Sequence, residues 1–123
     1  MKTHSPRFLA LATKAKKQIK EITPQALKEK IDRHEPFYLI DVREDNEWDS
    51  GYIPTAIHLS KGTVERDIEK TIPDEQASVV VYCSGGFRSA LVARSLQEMG
   101  YTDVCSLSTG LQGWTAAGYE QCN

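Results

Sequence analysis

The chain is predicted to fold as an α/β domain: a mostly parallel five-stranded sheet with helices on both faces. Three observations predict it. First, Phe37–Val42 and Val79–Cys83 are apolar runs without polar alternation, the mark of strands buried on both faces. Second, strand and helix signals follow one another in the order β-α-β-β-α-β-α-β-α, which implies a parallel sheet. Third, a short loop with two glycines joins the run at 79–83 directly to a helical segment. Such strand–loop–helix junctions place sites beyond the carboxyl ends of strands.

The elements follow in order. Ser5-Pro6 is a helix-start signal, with Ser as N-cap and Pro at the first position, and residues 7–18 are read as a helix. Ile19–Ile22 is a short strand. Thr23-Pro24 caps a helix over roughly 24–34, with Ala26, Leu27, Lys30 and Ile31 on one face. Phe37–Val42 is the second strand, and Asp41 at its end is costly to bury unless paired. Ala56–Leu59 is the third strand. Its His58 is read as a core or edge histidine with no assignable partner. Ser60–Thr63 opens a short helix over roughly 63–70, and Ile72-Pro73-Asp74 is a turn. The strand at 78–83 leads through its loop into a helix over about 88–99, with Gly100 as its C′ residue. Asp103–Leu107 is the last strand, where Cys105 is read as packing. The last helix starts around Ser108–Trp114, and Trp114 is expected in the core.

Composition narrows the function classes. With 123 residues, 40% hydrophobic and 26% charged, the chain is one globular domain and not a disordered one. No apolar run is long enough to span a membrane. Phe8–Ala12 is too short for the apolar region of a signal peptide, and lysines follow at once, so a cytoplasmic protein is expected. The net charge is −2. Yet Lys2, Arg7, Lys14, Lys16, Lys17 and Lys20 meet no acid in the first twenty residues. Residues 1–18 are read as a basic helical extension and 19–123 as the domain proper. A solvated basic helix is the preferred reading of the extension. Docking to an acidic partner is the alternative, and without interleaved aromatics nucleic acid is not expected. Cys83, Cys105 and Cys122 form no C-x-x-C pair and no His–Cys set with zinc spacing. Neither a metal, a cofactor nor a disulfide is expected, and the compartment is read as reducing. Cys122, beside the C-terminus, is read as an exposed tail residue, with sulfur relay the alternative.

Chemistry concentrates in Cys83-Ser84-Gly85-Gly86-Phe87-Arg88-Ser89. A glycine-containing loop entering a helix can turn its N–H groups inward, and the helix start adds free N–H groups and a positive dipole end. A thiol cradled there is favoured as thiolate, the nucleophilic form. Arg88 adds a permanent positive charge at the far end of the loop. No G-x-x-x-x-G-K-[ST] run exists, which excludes a Walker phosphate loop.

This Cys-x4-Arg loop resembles the active-site loop of single-domain rhodaneses, the thiosulfate sulfurtransferases. Related tyrosine and dual-specificity phosphatases carry Cys-x5-Arg, one residue longer. Here Ser89 stands where their arginine would. A second block, Asp41-Val42-Arg43-Glu44 with Glu47-Trp48 and Gly51-Tyr52-Ile53-Pro54, is similar to the family's first signature. It departs at Tyr52, where the family often has histidine, and at Thr55, where it has glycine, which suggests a different turn. Ser108–Trp114 is similar to the second signature, a Gly-Gly turn followed by Trp, with Thr109 in place of the first glycine.

The resemblance covers roughly residues 19–119 and implies a rhodanese-like domain. It implies Cys83 as the catalytic residue, residues 84–89 as a persulfide-binding loop, and structural support from Asp41, Arg43 and Glu47. Lys61 resembles a basic position of one subgroup and is a candidate anion contact. The implied activity moves sulfane sulfur from a small-molecule donor such as thiosulfate, through a Cys83 persulfide, to a thiol, cyanide or protein acceptor. The alternatives are a non-catalytic persulfide carrier, sensor or binding module and, less favoured, a phosphatase or arsenate reductase.

Overall fold

The computed structural model describes residues 4–123; Lys2, part of the expected basic arm, lies outside them. The chain runs α1 (Pro6–Lys16), β1 (Lys20–Ile22), α2 (Pro24–Asp32), β2 (Tyr38–Asp41), α3 (Asp45–Asp49), β3 (Ile57–His58), α4 (Val64–Thr71), β4 (Ser78–Tyr82), α5 (Phe87–Glu98), β5 (Asp103–Leu107) and α6 (Gly110–Ala116). The strands form one sheet in the order β1-β5-β4-β2-β3, and every paired strand is parallel.

Period-two alternation feeds both faces of this sheet. From β2 and β4, Ile40, Val79 and Val81, followed by Val42 and Cys83, point into a core closed by Val64 and Ile68 of α4 and by Val92 and Leu96 of α5. Leu39, Val80 and Tyr82 point the other way, toward Leu27 of α2 and Trp114 of α6. This is why the strand sequences show no polar alternation. Cys83 therefore projects toward the α4/α5 face.

α3 escapes the sequence reading. Its five residues are too few for a periodic signal, and it is built by a capping box between Glu44 and Glu47. Trp48 of α3 stacks between Tyr52 (3.8 Å between centroids) and His58 (4.9 Å). His58 does have a partner: its Nε2 donates to the Arg43 carbonyl at 2.8 Å.

Other expectations need correcting. Ser5 makes no side-chain capping bond, so Pro6 at the first turn carries the start signal of α1 alone. Thr55 takes a left-handed φ of 76°, at a steric cost for a β-branched residue. Thr109 sits at φ −109° and needs no glycine, whereas Gly110 does, at φ 63°. Cys122 is half-buried and tied down by an antiparallel bridge: Tyr52 N–H donates to the Cys122 carbonyl at 2.9 Å and Cys122 N–H donates back at 2.8 Å.

Asp41 ends β2 fully buried, and it is paired. Its carboxylate accepts from Arg43 Nε at 3.0 Å, Arg43 Nη2 at 2.8 Å and the Arg43 backbone N–H at 2.9 Å. Arg43 Nη2 also donates to the Gly51 carbonyl at 2.6 Å, which pins the chain after α3. Removing one partner strands the other charge in a dry interior. Asp41→Ala is expected to lose about 3–5 kcal/mol of stability in urea unfolding. A loss below about 1 kcal/mol would mean that Arg43 finds water or another acceptor.

Candidate active site

Parallel register aligns the carboxyl ends of β2 and β4. Asp41 pairs with Tyr82, and Val42 N–H donates to the Tyr82 carbonyl at 2.9 Å. Cys83 follows immediately, so it sits at the sheet edge with the β2–α3 connection on one side. On the other side, the turn after β5 packs against its backbone. Leu111 and Gln112 N–H donate to the Cys83 and Ser84 carbonyls at 2.9 and 3.0 Å.

The sulfur is 1% exposed residue-wise and surrounded by donors. Gly86 N–H donates to Sγ at 3.1 Å and Ser89 N–H at 3.4 Å; the Ser89 hydroxyl lies at 3.4 Å. Gly86 reaches this position because it adopts φ 97° as the N-cap of α5. The start of a twelve-residue helix thus faces the sulfur. Ser89 Oγ is in turn 2.8 Å from Ser106 Oγ of β5, and both residues are fully buried. When Cys83 is a thiolate, Ser89 donates to it and Ser106 donates to Ser89. Sequence reading missed Ser106, since a lone serine in a strand carries no signal.

Arg88 does not point its charge freely at the sulfur. Its Nη1 and Nη2 donate to Glu47 Oε1 and Oε2 at 2.7 and 2.9 Å, a fork-to-fork pair. The Arg88 bonds hold the Glu47 carboxyl down at about 2, against partial burial and with help from the Glu44 N–H. The loop is thereby tied to α3. Sequence-predicted Glu47 and Arg88 meet, 41 residues apart. Asp41 and Arg43 form a separate buried ion pair at the end of β2. Lys61 is not brought to the cleft lining; its backbone N–H donates to the Val42 carbonyl at 2.9 Å.

Above Cys83 opens a cleft of about 800 Å³. Ser84, Gly85, Phe87 and Arg88 line it from the loop, Glu44, Asn46 and Glu47 from the α3 side, and Gln112 from α6. His4 and Phe8 line it as well, from a segment the sequence reading set apart as an extension. Among the described residues no His/Cys/Asp/Glu group has the arrangement of a metal site.

The Rhodanese-like domain profile matches residues 23–117. The chain belongs to the rhodanese-like domain family. YtwF of Bacillus subtilis (strain 168) is 41% identical over 97 residues, 79% of this chain and 91% of that one. The thiosulfate sulfurtransferase GlpE of Coxiella burnetii (strain RSA 493 / Nine Mile phase I) is 34% identical over 100 residues, covering 81% and 88%. Among solved structures, RPA3614 of Rhodopseudomonas palustris CGA009 superposes with a TM-score of 0.85 at 25% identity, over 98% of both chains. It is described as a protein of unknown function with a suggested tyrosine phosphatase activity. A rhodanese-family domain fits the α/β architecture and the cysteine-bearing loop described above.

Two predictions concern the loop. A Cβ on Gly86 would collide with the Ser108 carbonyl, whereas one on Gly85 meets only ordinary contacts at 3.9 Å. Gly86→Ala is expected to lower stability by about 1–3 kcal/mol and Gly85→Ala by less than about 1 kcal/mol, read as urea midpoints. Equal losses would contradict the assignment. The second concerns acid. A carboxyl lowered in the folded state stabilises above its unfolded pKa of 4.5, and that stability disappears as the pH falls toward about 2. Glu47→Gln is expected to remove about 1–3 kcal/mol of the stability lost between pH 5 and 2, after allowance for solvent screening. Identical acid-unfolding slopes for both proteins would refute it.

Proposed function

We propose that the protein is a sulfurtransferase that carries sulfane sulfur as a Cys83 persulfide, from a donor of the thiosulfate type to a thiophilic acceptor. The observation that carries this reading is the convergence of Gly86 N–H, Ser89 N–H and the Ser89 hydroxyl on one sulfur. The Cys83 thiolate attacks the outer sulfur of the donor. A bond forms between the two sulfurs, the bond from the outer sulfur to the sulfonyl sulfur breaks, and its electron pair leaves with sulfite. The new terminal sulfur is anionic, and N–H groups of the loop are poised to hold that charge as an oxyanion hole holds oxygen. The acceptor, a thiol, a protein cysteine or cyanide, then removes the sulfur and restores the thiolate. Membership in the rhodanese-like family and the 34% identity to a thiosulfate sulfurtransferase support the same chemistry.

Phosphatase chemistry is the second reading, because the description of RPA3614 suggests it. It needs an arginine free to clasp phosphate. Arg88 instead gives two bonds to Glu47, and only four residues separate it from Cys83. Both features favour a site for one sulfur.

Incubation with thiosulfate or a thiosulfonate is expected to add one sulfur atom by intact mass, and cyanide is expected to remove it as thiocyanate. Cys83→Ser abolishes both signals, whereas Cys105→Ser and Cys122→Ser keep them. A folded wild-type protein that gains sulfur from neither donor would overturn the proposal, and hydrolysis of a phosphomonoester dependent on Cys83 would establish the rival.

A further inference from the structure

Helix α1 lies outside the family match at residues 23–117, yet it is built into the site. Ala12 and Ala15 are fully buried, and Ala15 clusters with Ala90 and Leu91 of α5. Such small residues let two helices approach closely. That docking brings three rings together over the cysteine. His4 meets Phe87 of the loop edge-on at 4.7 Å between centroids, and Phe8 packs beside His4 at 5.3 Å. Lys16 Nζ lies 4.9 Å from the Phe87 ring centre, so α1 holds that ring from a second point. His4, Phe8 and Phe87 all line the cleft that ends at Cys83.

The lining from the α3 side is polar. It carries Glu44, together with Glu47 and Arg88, whose charges offset each other in a forked ion pair. A donor with an apolar body gains from the aromatic lining. The cleft volume of about 800 Å³ lies in the range that encloses organic ligands, roughly 300–1,000 Å³, and far exceeds the need of a sulfur oxyanion.

Resting on the sulfur-transfer reading, we propose that α1 forms the specificity wall of the active site. Phe8 and Phe87, with His4, receive the apolar or aromatic group of an organic sulfane-sulfur donor, of the class R–SO₂–S⁻ or R–S–S⁻. For a thiosulfonate, Cys83 bonds to the outer sulfur. The bond between that sulfur and the sulfonyl sulfur breaks, and its electron pair departs with the sulfinate R–SO₂⁻. No further reactant is needed.

The test compares benzenethiosulfonate with methanethiosulfonate, cyanide being the acceptor and thiocyanate the readout. The quantity read is the ratio of their kcat/KM values in each variant, which cancels the intrinsic reactivity of each donor. Phe8→Ala is expected to cut kcat/KM for the benzene donor about tenfold, mainly through KM, and for the methane donor less than twofold. Phe8→Leu preserves apolar volume beneath α1 and is expected to lower the ratio by a smaller factor, so loss of folding cannot mimic the result. Leu11→Ala, on the exposed side of α1, leaves the ratio at the wild-type value. A ratio unaltered in Phe8→Ala overturns the wall while sulfur transfer stands. Absence of turnover of both donors by folded wild-type protein overturns sulfur transfer, and the wall with it.

Discussion

The site depends on two loop backbones lying directly against each other. The Cys83–Gly86 segment after β4 and the Ser108–Gly110 turn after β5 touch without side chains between them. A Cβ on Gly86 would strike the Ser108 carbonyl, and one on Gly110 would strike the carbonyls of Cys83 and Ser84. Both glycines also hold positive φ, 97° and 63°, a region that L-residues enter at a cost. Close approach and backbone shape thus impose the same residue at each point. The consequence is chemical. Only with the two turns in contact can Leu111 and Gln112 hold the carbonyls of Cys83 and Ser84, and Gly86 direct its N–H at the sulfur.

The rest of the fold supplies that contact with fixed borders. Parallel pairing aligns the ends of β2, β4 and β5 at one edge of the sheet. From the β2 side, the buried Asp41–Arg43 pair anchors the chain through the Gly51 carbonyl, and α3 carries Glu47 to Arg88. From the β5 side, Ser106 supports Ser89. From above α5, Lys16 of α1 and His4 contact Phe87. The loop is gripped from three directions by elements distant in sequence. A buried ion pair such as Asp41–Arg43 is a poor source of net stability, but it is costly to break, which suits an anchor.

Much of this was legible in the chain. The uniform apolar runs gave the parallel sheet because β2 and β4 bury both faces. The Cys-Ser-Gly-Gly-Phe-Arg stretch gave the loop because it combines a strand end, glycine and a helix start in six residues. What was illegible shares one feature: it is decided by distance in space. Which of Glu44, Asp45 and Glu47 pairs with Arg88 depends on where α3 sits, and α3 is too short to be seen. Of Gly85 and Gly86, only the second is required, and the steric reason lies in Ser108. Lys61 was expected near an anion; its backbone N–H donates to the Val42 carbonyl, and it is not among the residues that line the cleft. Thr55 holds a positive φ that its residue type does not announce, because the surrounding turn outweighs one strained φ.

The separation of residues 1–18 from the domain follows from composition, since lysines without acids mark a segment as distinct. Packing says something different. The same segment that is basic along its length carries Ala12 and Ala15 on its buried side and Phe8 at the cleft. Charge describes the face that meets water, whereas the position of a helix is fixed by the face that does not. Here that hidden face is small enough to let α1 settle on α5, the helix whose N-terminus faces the sulfur. Lys16 of α1 contacts Phe87, and Phe87 follows directly on Gly86 in the chain. The segment least like the rest of the sequence therefore borders the residue on which the site is centred.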